Sequence, residues 1–159
     1  MDTICITCRI INKEVIPPGG IIYKNNFVIL HHCLDINIGG YFILSPVRHV
    51  EGLEQLEPEE LSQIANLSKA IIEVLIKEKD IDRVYILSLG EETSHFHFHL
   101  FPRYKWMLDF PSEDICTNDK IDGGKLFSFI RNKYKVDKQE LFDNRLLEIL
   151  NSVREWADL

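Results

Sequence analysis

His95-Phe96-His97-Phe98-His99-Leu100-Phe101, followed at once by Pro102-Arg103, is the stretch on which the reading of this 159-residue chain turns. Side chains of an extended strand alternate between its faces. His95, His97 and His99 then share one face, while Phe96, Phe98 and Leu100 anchor the other in a core. A helix would scatter the imidazoles around its circumference, and aromatics at every second position favour a strand. Pro102 cannot donate to a sheet ladder, so the strand is expected to stop there. A row of three imidazoles suits few tasks: holding a metal, moving protons or attacking an electrophile. Three of the chain's six histidines fall at alternate positions here, which a merely histidine-rich surface strand rarely shows.

Size and composition bound the rest. A chain of 159 residues with 45% hydrophobic and 27% charged residues fits one soluble globular domain with a real core. A net charge of -7 argues against a dedicated nucleic-acid surface, although a local basic pocket is compatible with it. No apolar run approaches the ~20 residues needed to span a bilayer. Met1-Asp2-Thr3 lacks the basic start of a secretory signal, so a cytoplasmic location is expected. In such a reducing compartment Cys5-Ile6-Thr7-Cys8 reads as metal-binding or redox-active rather than as a disulfide. Cys33 and Cys116 read as plain buried or half-exposed side chains.

Residues 1–18 suggest a short knuckle or loop ending at Pro17-Pro18. Residues 21–23 and 27–33 flank Lys24-Asn25-Asn26 as a hairpin. Gly39-Gly40 precede a strand over 41–44, ended by Pro46. Pro58 suits the first turn of a helix, and Glu59 and Glu60 suit its positive end. Leu61, Ile64, Ala65, Ser68, Ile71, Ile72 and Leu75 continue it at helical spacing to about residue 79. Residues 83–89 read as a strand joined by the turn 90–94 to the histidine strand, which makes the two antiparallel neighbours. Residues 104–120 read as a loop, with helices over 125–135 and 139–156. Strands with hairpin connections followed by helices describe an α+β domain.

Cys5 and Cys8 have knuckle spacing, and one tetrahedral zinc takes both thiolates if folding brings two more ligands. His49, in a loop past Pro46, is the best distant candidate, and His95 is the second. An incidental pair or a redox dithiol is the alternative reading.

Taken in order, Cys-x-x-Cys, the run Gly40-Tyr41-Phe42-Ile43-Leu44-Ser45-Pro46-Val47-Arg48-His49-Val50, the Pro-Glu-Glu helix and the histidine row with Pro102-Arg103 resemble the histidine triad (HIT) superfamily. The resemblance covers about residues 5–103. It implies an α+β fold, a mainly antiparallel sheet with one long helix packed on it, often assembled as a homodimer. Residues 1–103 would then be the catalytic core, and 104–159 a C-terminal loop and helical extension packed on the same domain. Members of the family transfer or hydrolyse nucleotidyl groups of phosphoramidates, dinucleoside polyphosphates, acyl-adenylates and, in a distant branch, nucleotide sugars.

Carried onto this chain, the resemblance makes His97 the nucleophile and His99 the phosphate-contacting histidine. An imidazole, with an ordinary pKa near ~6.5, attacks phosphorus at neutral pH without a separate base. The distant branch holds zinc with two cysteines, a loop histidine and the first triad histidine, which implies Cys5, Cys8, His49 and His95. Asp35 or Asn37 would hydrogen-bond a ribose. Ser94 or Thr93 would assist the leaving group where many hydrolases carry Gln-Ser or Gln-Thr, and Arg103, beside the histidine strand, reads either as a phosphate contact or as a solvated arginine. Three positions depart from the family pattern. Glu91 and Glu92 set two acids near an anionic substrate, and Tyr41 stands where many members have histidine. Trp106 and Phe110 read as core packing rather than as a base cap.

A nucleotide substrate, a structural zinc and a homodimer are thus expected, with no membrane and no nucleic-acid partner. Two competing readings stand beside this one. A catalytic metal held by all three triad histidines strains against the ~6.5–7 Å between same-face positions of a strand. A nucleotide-binding or scaffold module without catalysis would keep the same fold.

Overall fold

The computed structural model describes residues 5–137 and 144–157. It opens on α1 (Ile6–Ile11), whose N-cap is Cys5: the Cys8 amide donates to the Cys5 thiol sulfur at 3.5 Å. The expected knuckle is therefore a single short helix. β1 (Ile21–Lys24) and β2 (Val28–His32) form the expected hairpin. Its turn is closed by Asn25, whose side-chain oxygen accepts from the amides of Phe27 at 2.8 Å and Val28 at 2.9 Å. β3 (Phe42–Pro46), β4 (Ile81–Leu87) and β5 (Phe98–Tyr104) complete a sheet of order β1-β2-β3-β5-β4. All four pairings in it are antiparallel.

Between β3 and β4 runs α2 (Pro58–Leu75), the long helix expected from its periodicity, stopping about one turn short of residue 79. Its first turn holds the buried Glu60 carboxylate. That group accepts from the Glu57 amide at 2.9 Å and from Arg48 at 3.1 and 2.7 Å, tying the segment after β3 to the helix. Ile64, Leu67, Ile71 and Leu75 of α2 join Leu30, Phe42, Leu44 and Leu100 in the core.

Two expectations about the histidine row are corrected. β5 begins at Phe98, not at residue 95, because the Phe96 amide donates to the Val50 carbonyl at 2.7 Å instead of entering a ladder. The strand also continues through Pro102 to Tyr104. There β5 has only β4 beside it, since β3 pairs no further than Leu100, and that edge-like setting tolerates a proline.

Residues past β5 are more ordered than the expected loop. A 3₁₀ segment (Lys105–Asp109), the one-turn helix α3 (Ser112–Ile115) and a small hairpin of β6 (Cys116–Thr117) and β7 (Lys120–Ile121) lead to α4 (Gly123–Lys133). Asp122 caps α4, its carboxylate accepting from the Gly124 and Lys125 amides at 3.0 Å each. α5 (Asn144–Ala157) packs against β1 and α2, burying Ile149, Leu150 and Val153. The expected start of that helix at residue 139 and the side chain of Leu146 lie outside the described residues. Among the described residues no helix is long and apolar enough to cross a membrane.

With α2 on one face of the sheet, the other presents His31, Ile43 and His99 in one row. Register sets it: His31 lies opposite Ile43, and Ile43 opposite His99. α1 and α4 flank that row and leave a cavity over it.

Candidate active site and metal centre

The cavity has a volume of about 330 Å³, within the range of small-molecule sites. His31, Ile43, His97 and His99 floor it, Ile6 and Ile10 of α1 form one wall, and Phe127 and Arg131 of α4 form another. Residues 89–93 make the rim.

His97 and His99 meet on the floor with their Nε2 atoms 3.0 Å apart. The Nδ1 of His97 lies 2.8 Å from the backbone oxygen of His95, and a carbonyl only accepts. His97 therefore carries its proton on Nδ1 and turns the Nε2 lone pair to the cavity. His99 has its pKa pushed down to about 3, chiefly by burial and then by His97 and Arg131, so it is neutral at physiological pH. Its Nδ1 is 2.7 Å from the Tyr41 hydroxyl. Arg131 donates to that hydroxyl at 2.8 Å and to the Glu92 carboxylate at 3.0 and 2.9 Å. Glu92, read from sequence as a repulsive acid, is thus paired.

His31 is buried, and that burial lowers its pKa to about 4. Its Nδ1 donates to the His32 carbonyl at 2.8 Å.

The first triad histidine faces elsewhere. The Nδ1 of His95 lies 3.4 Å from the Cys5 sulfur and 3.6 Å from the Cys8 sulfur, while the Nδ1 of His49 lies 3.3 Å from Cys8. One donor atom from each of Cys5, Cys8, His49 and His95 falls within 4.8 Å of all the others. Zn–S and Zn–N bonds of ordinary length at a tetrahedral angle put sulfur and nitrogen about 3.6 Å apart, so the donor set and its spacing fit zinc. His95 Nε2 lies 3.0 Å from the Pro46 carbonyl; donating there leaves the Nδ1 lone pair for a metal. Burial and the neighbouring Cys5 raise the free Cys8 thiol to about 11, an electrostatic cost that a bound cation reverses. His97 and His99 do not join this group, so among the described residues nothing supports one ion shared by all three triad histidines.

The other expected site residues divide. Asp35 lines the cavity, with its carboxylate 3.6 Å from the Lys135 ammonium. Asn37 does not line it, and its amide is bound to the Tyr134 carbonyl at 3.0 Å. Ser94 is exposed outside the cavity, whereas its neighbour Thr93 is on the rim. Arg103 does not line the cavity: both arms of its guanidinium are held by Asp82 at 3.0 Å, and Tyr85 takes a third bond at 3.1 Å. That pairing directs it along the β4 side of the sheet, away from the cavity. Trp106 packs against Phe110 and Tyr134, and Phe110 against Phe129, and neither lines the cavity.

Sequence reasoning missed the contributions of α1 and α4. Ile6, Ile10 and Phe127 look like ordinary apolar positions, and Arg131 looks like a solvated helix charge. The only signal was Tyr41, whose departure from the family pattern marks where Arg131 docks.

The HIT domain family model matches residues 15–106, more than half of the chain. An uncharacterized HIT-like protein of Methanocaldococcus jannaschii is 33% identical over 108 residues, covering 64% of this chain and 80% of that protein. One from Borreliella burgdorferi is 32% identical over 110 residues, covering 64% of this chain and 76% of its own. Among solved structures, a zinc-bound histidine triad family protein from Mycobacterium smegmatis superposes with a TM-score of 0.62 at 16% identity, over 98% of this chain and 94% of that one. A hypothetical histidine triad nucleotide-binding protein from Sulfolobus tokodaii gives 0.62 at 20% identity, over 97% and 92%. At such identities these two likenesses concern the fold alone.

Proposed function

This chain belongs to the histidine triad family, and on that premise we propose that it is a nucleotidyl hydrolase or transferase working through a covalent nucleotidyl-histidine at His97. The observation that carries the reading is the tautomer of His97. With Nδ1–H tied to the His95 carbonyl, its Nε2 lone pair stands on the floor of the cavity.

In the first step that lone pair attacks the α-phosphorus of a phosphate-linked nucleotide. The N–P bond forms as the bond to the leaving group breaks, and the leaving group departs with the electron pair. The developing imidazolium keeps its Nδ1–H bond to the carbonyl. His99 donates from Nε2 to a phosphoryl oxygen, and the Arg131 guanidinium adds positive potential at the same end. In the second step the oxygen of water or of another acceptor attacks phosphorus and releases its proton to solvent, the N–P bond breaks with its electron pair returning to Nε2, and His97 is neutral again with its proton on Nδ1. Asp35 accepts from ribose hydroxyls at the far end of β2, and Thr93 offers its hydroxyl to the leaving group at the rim.

Cys5, Cys8, His49 and His95 would hold zinc with four protein ligands and no open position, which supplies a cross-link rather than a Lewis acid. It would tie the N-terminal segment to the residues just ahead of β5. The same reading includes a homodimer, which sedimentation would show as twice the chain mass.

The test is incubation with nucleoside 5′-phosphoramidates, dinucleoside polyphosphates and nucleotidyl esters, followed by acid-free quenching and peptide mass mapping. A nucleotidyl mass on His97 that vanishes in His97→Ala supports the proposal. Nucleotide binding by calorimetry with neither adduct nor turnover for any compound would leave a binding module instead.

A further inference from the structure

We propose that Tyr41 and Arg131 are positioning residues that fix which nitrogen of His99 carries its proton. This deepens the reading above: the role given to that proton in the reaction rests on His97 chemistry, but the placement of the proton does not.

The argument is a count of donors along one chain of contacts. A guanidinium has no acceptor, so at 2.8 Å Arg131 donates to the Tyr41 oxygen. Tyr41 is buried, and among the described residues its hydroxyl has two partners, Arg131 and the Nδ1 of His99. Its single proton cannot point at Arg131, so it points at His99 Nδ1, 2.7 Å away, and that nitrogen is an acceptor. The one proton of a neutral His99 then sits on Nε2. It meets His97 Nε2 at 3.0 Å, and that atom is a lone pair because the His97 proton is committed to the His95 carbonyl. Every contact has one donor and one acceptor, and reversing any of them leaves two protons or two lone pairs facing each other.

A protonated His99 would escape this logic, but burial and the nearby Arg131 charge oppose it. Arg131 is itself half-sheltered beside the cavity, its side chain 15% exposed, and it also donates to the Glu92 carboxylate on the rim. The ring of Tyr41 is wedged edge-on against Phe101 and Phe127, which fixes the angle at which its hydroxyl meets His99. In the resting site the His99 proton thus holds the nucleophile's lone pair in place. When a phosphate enters, the same proton is the one available to its oxygen. A His99 with its proton on Nδ1 would instead present a lone pair to an anion, the wrong sign for binding it.

Long-range ¹⁵N–¹H correlation spectra of the full-length ¹⁵N-labelled protein at neutral pH, without substrate, test this directly. The expected wild-type spectrum shows His99 with Nε2 protonated and Nδ1 unprotonated. Tyr41→Phe keeps the packed ring and removes the hydroxyl, and should shift His99 toward a mixture of tautomers. With a nucleoside 5′-phosphoramidate as probe, Tyr41→Phe and Arg131→Met should lower kcat at least tenfold, with KM changed less than threefold. A wild-type His99 protonated on Nδ1 would overturn the inference even if neither variant folds, as would a Tyr41→Phe spectrum identical to wild type. The expected tautomers in a protein that forms no nucleotidyl adduct would support this inference and count only against the function proposed above.

Discussion

His95 faces two sites at once: its ring nitrogen lies 3.4 Å from the Cys5 sulfur, and its backbone oxygen accepts the His97 proton at 2.8 Å. The residue that would help bind a metal thus also orients the proposed nucleophile, with two covalent bonds of backbone between the two tasks. A cross-link at Cys5, Cys8, His49 and His95 would hold the backbone turn that aims His97.

Cys5→Ser should therefore abolish stoichiometric zinc, read by elemental analysis, and lower the melting temperature by on the order of 10 °C, as expected for loss of a structural site. Treatment of wild type with a strong chelator should give the same shift. Activity per folded molecule at low temperature should fall less than stability does. Unchanged metal content and melting temperature would refute the assignment.

Arg103 and Asp82 form a bidentate pair whose side chains are 13% and 28% exposed. Arg103→Gln should cost about 1 kcal/mol of stability, the scale of a partly screened ion pair, measured by urea denaturation. Turnover should stay within about twofold of wild type. A large loss of phosphate affinity would return Arg103 to the substrate.

Gly40 adopts φ +79°, and a Cβ there would stand 2.8 Å from Leu75 Cδ2 and 3.4 Å from Ile149 Cγ2. Gly40→Ala combines a left-handed backbone with a clash between α2 and α5, so a loss of about 2–4 kcal/mol is expected in denaturant titrations.

The Arg48 hydrogen bonds, foremost, and the Glu57 amide hold the Glu60 carboxyl below its ordinary pKa. A depressed carboxylate stabilises the fold above its unfolded pKa, and that contribution is lost as pH falls through the folded value. Acid unfolding of wild type should accordingly gain steepness below the ordinary carboxylate range. Glu60→Gln should be less stable at neutral pH, with the gap to wild type closing at low pH.

Most of the fold was legible from short-range pattern. The period of α2, the Asn25 turn, the Gly and Pro breaks and the alternation at 98–101 each depend on neighbours a few residues away, and sequence reports such neighbours directly. The quartet Cys5, Cys8, His49 and His95 follows from ligand chemistry and family resemblance alone. The row of three histidines also named the floor of the cavity, although only His97 and His99 share it.

Tertiary structure alone decided the walls and the proton directions. Arg131 reaches Tyr41 across 90 positions of chain, and His95 is turned from the row because the Phe96 amide finds Val50 rather than a strand partner. A side chain's composition says what it can donate or accept. Which partner it meets depends on how the sheet, α1 and α4 close around one another, and that closure is a sum over the whole core that no local stretch contains.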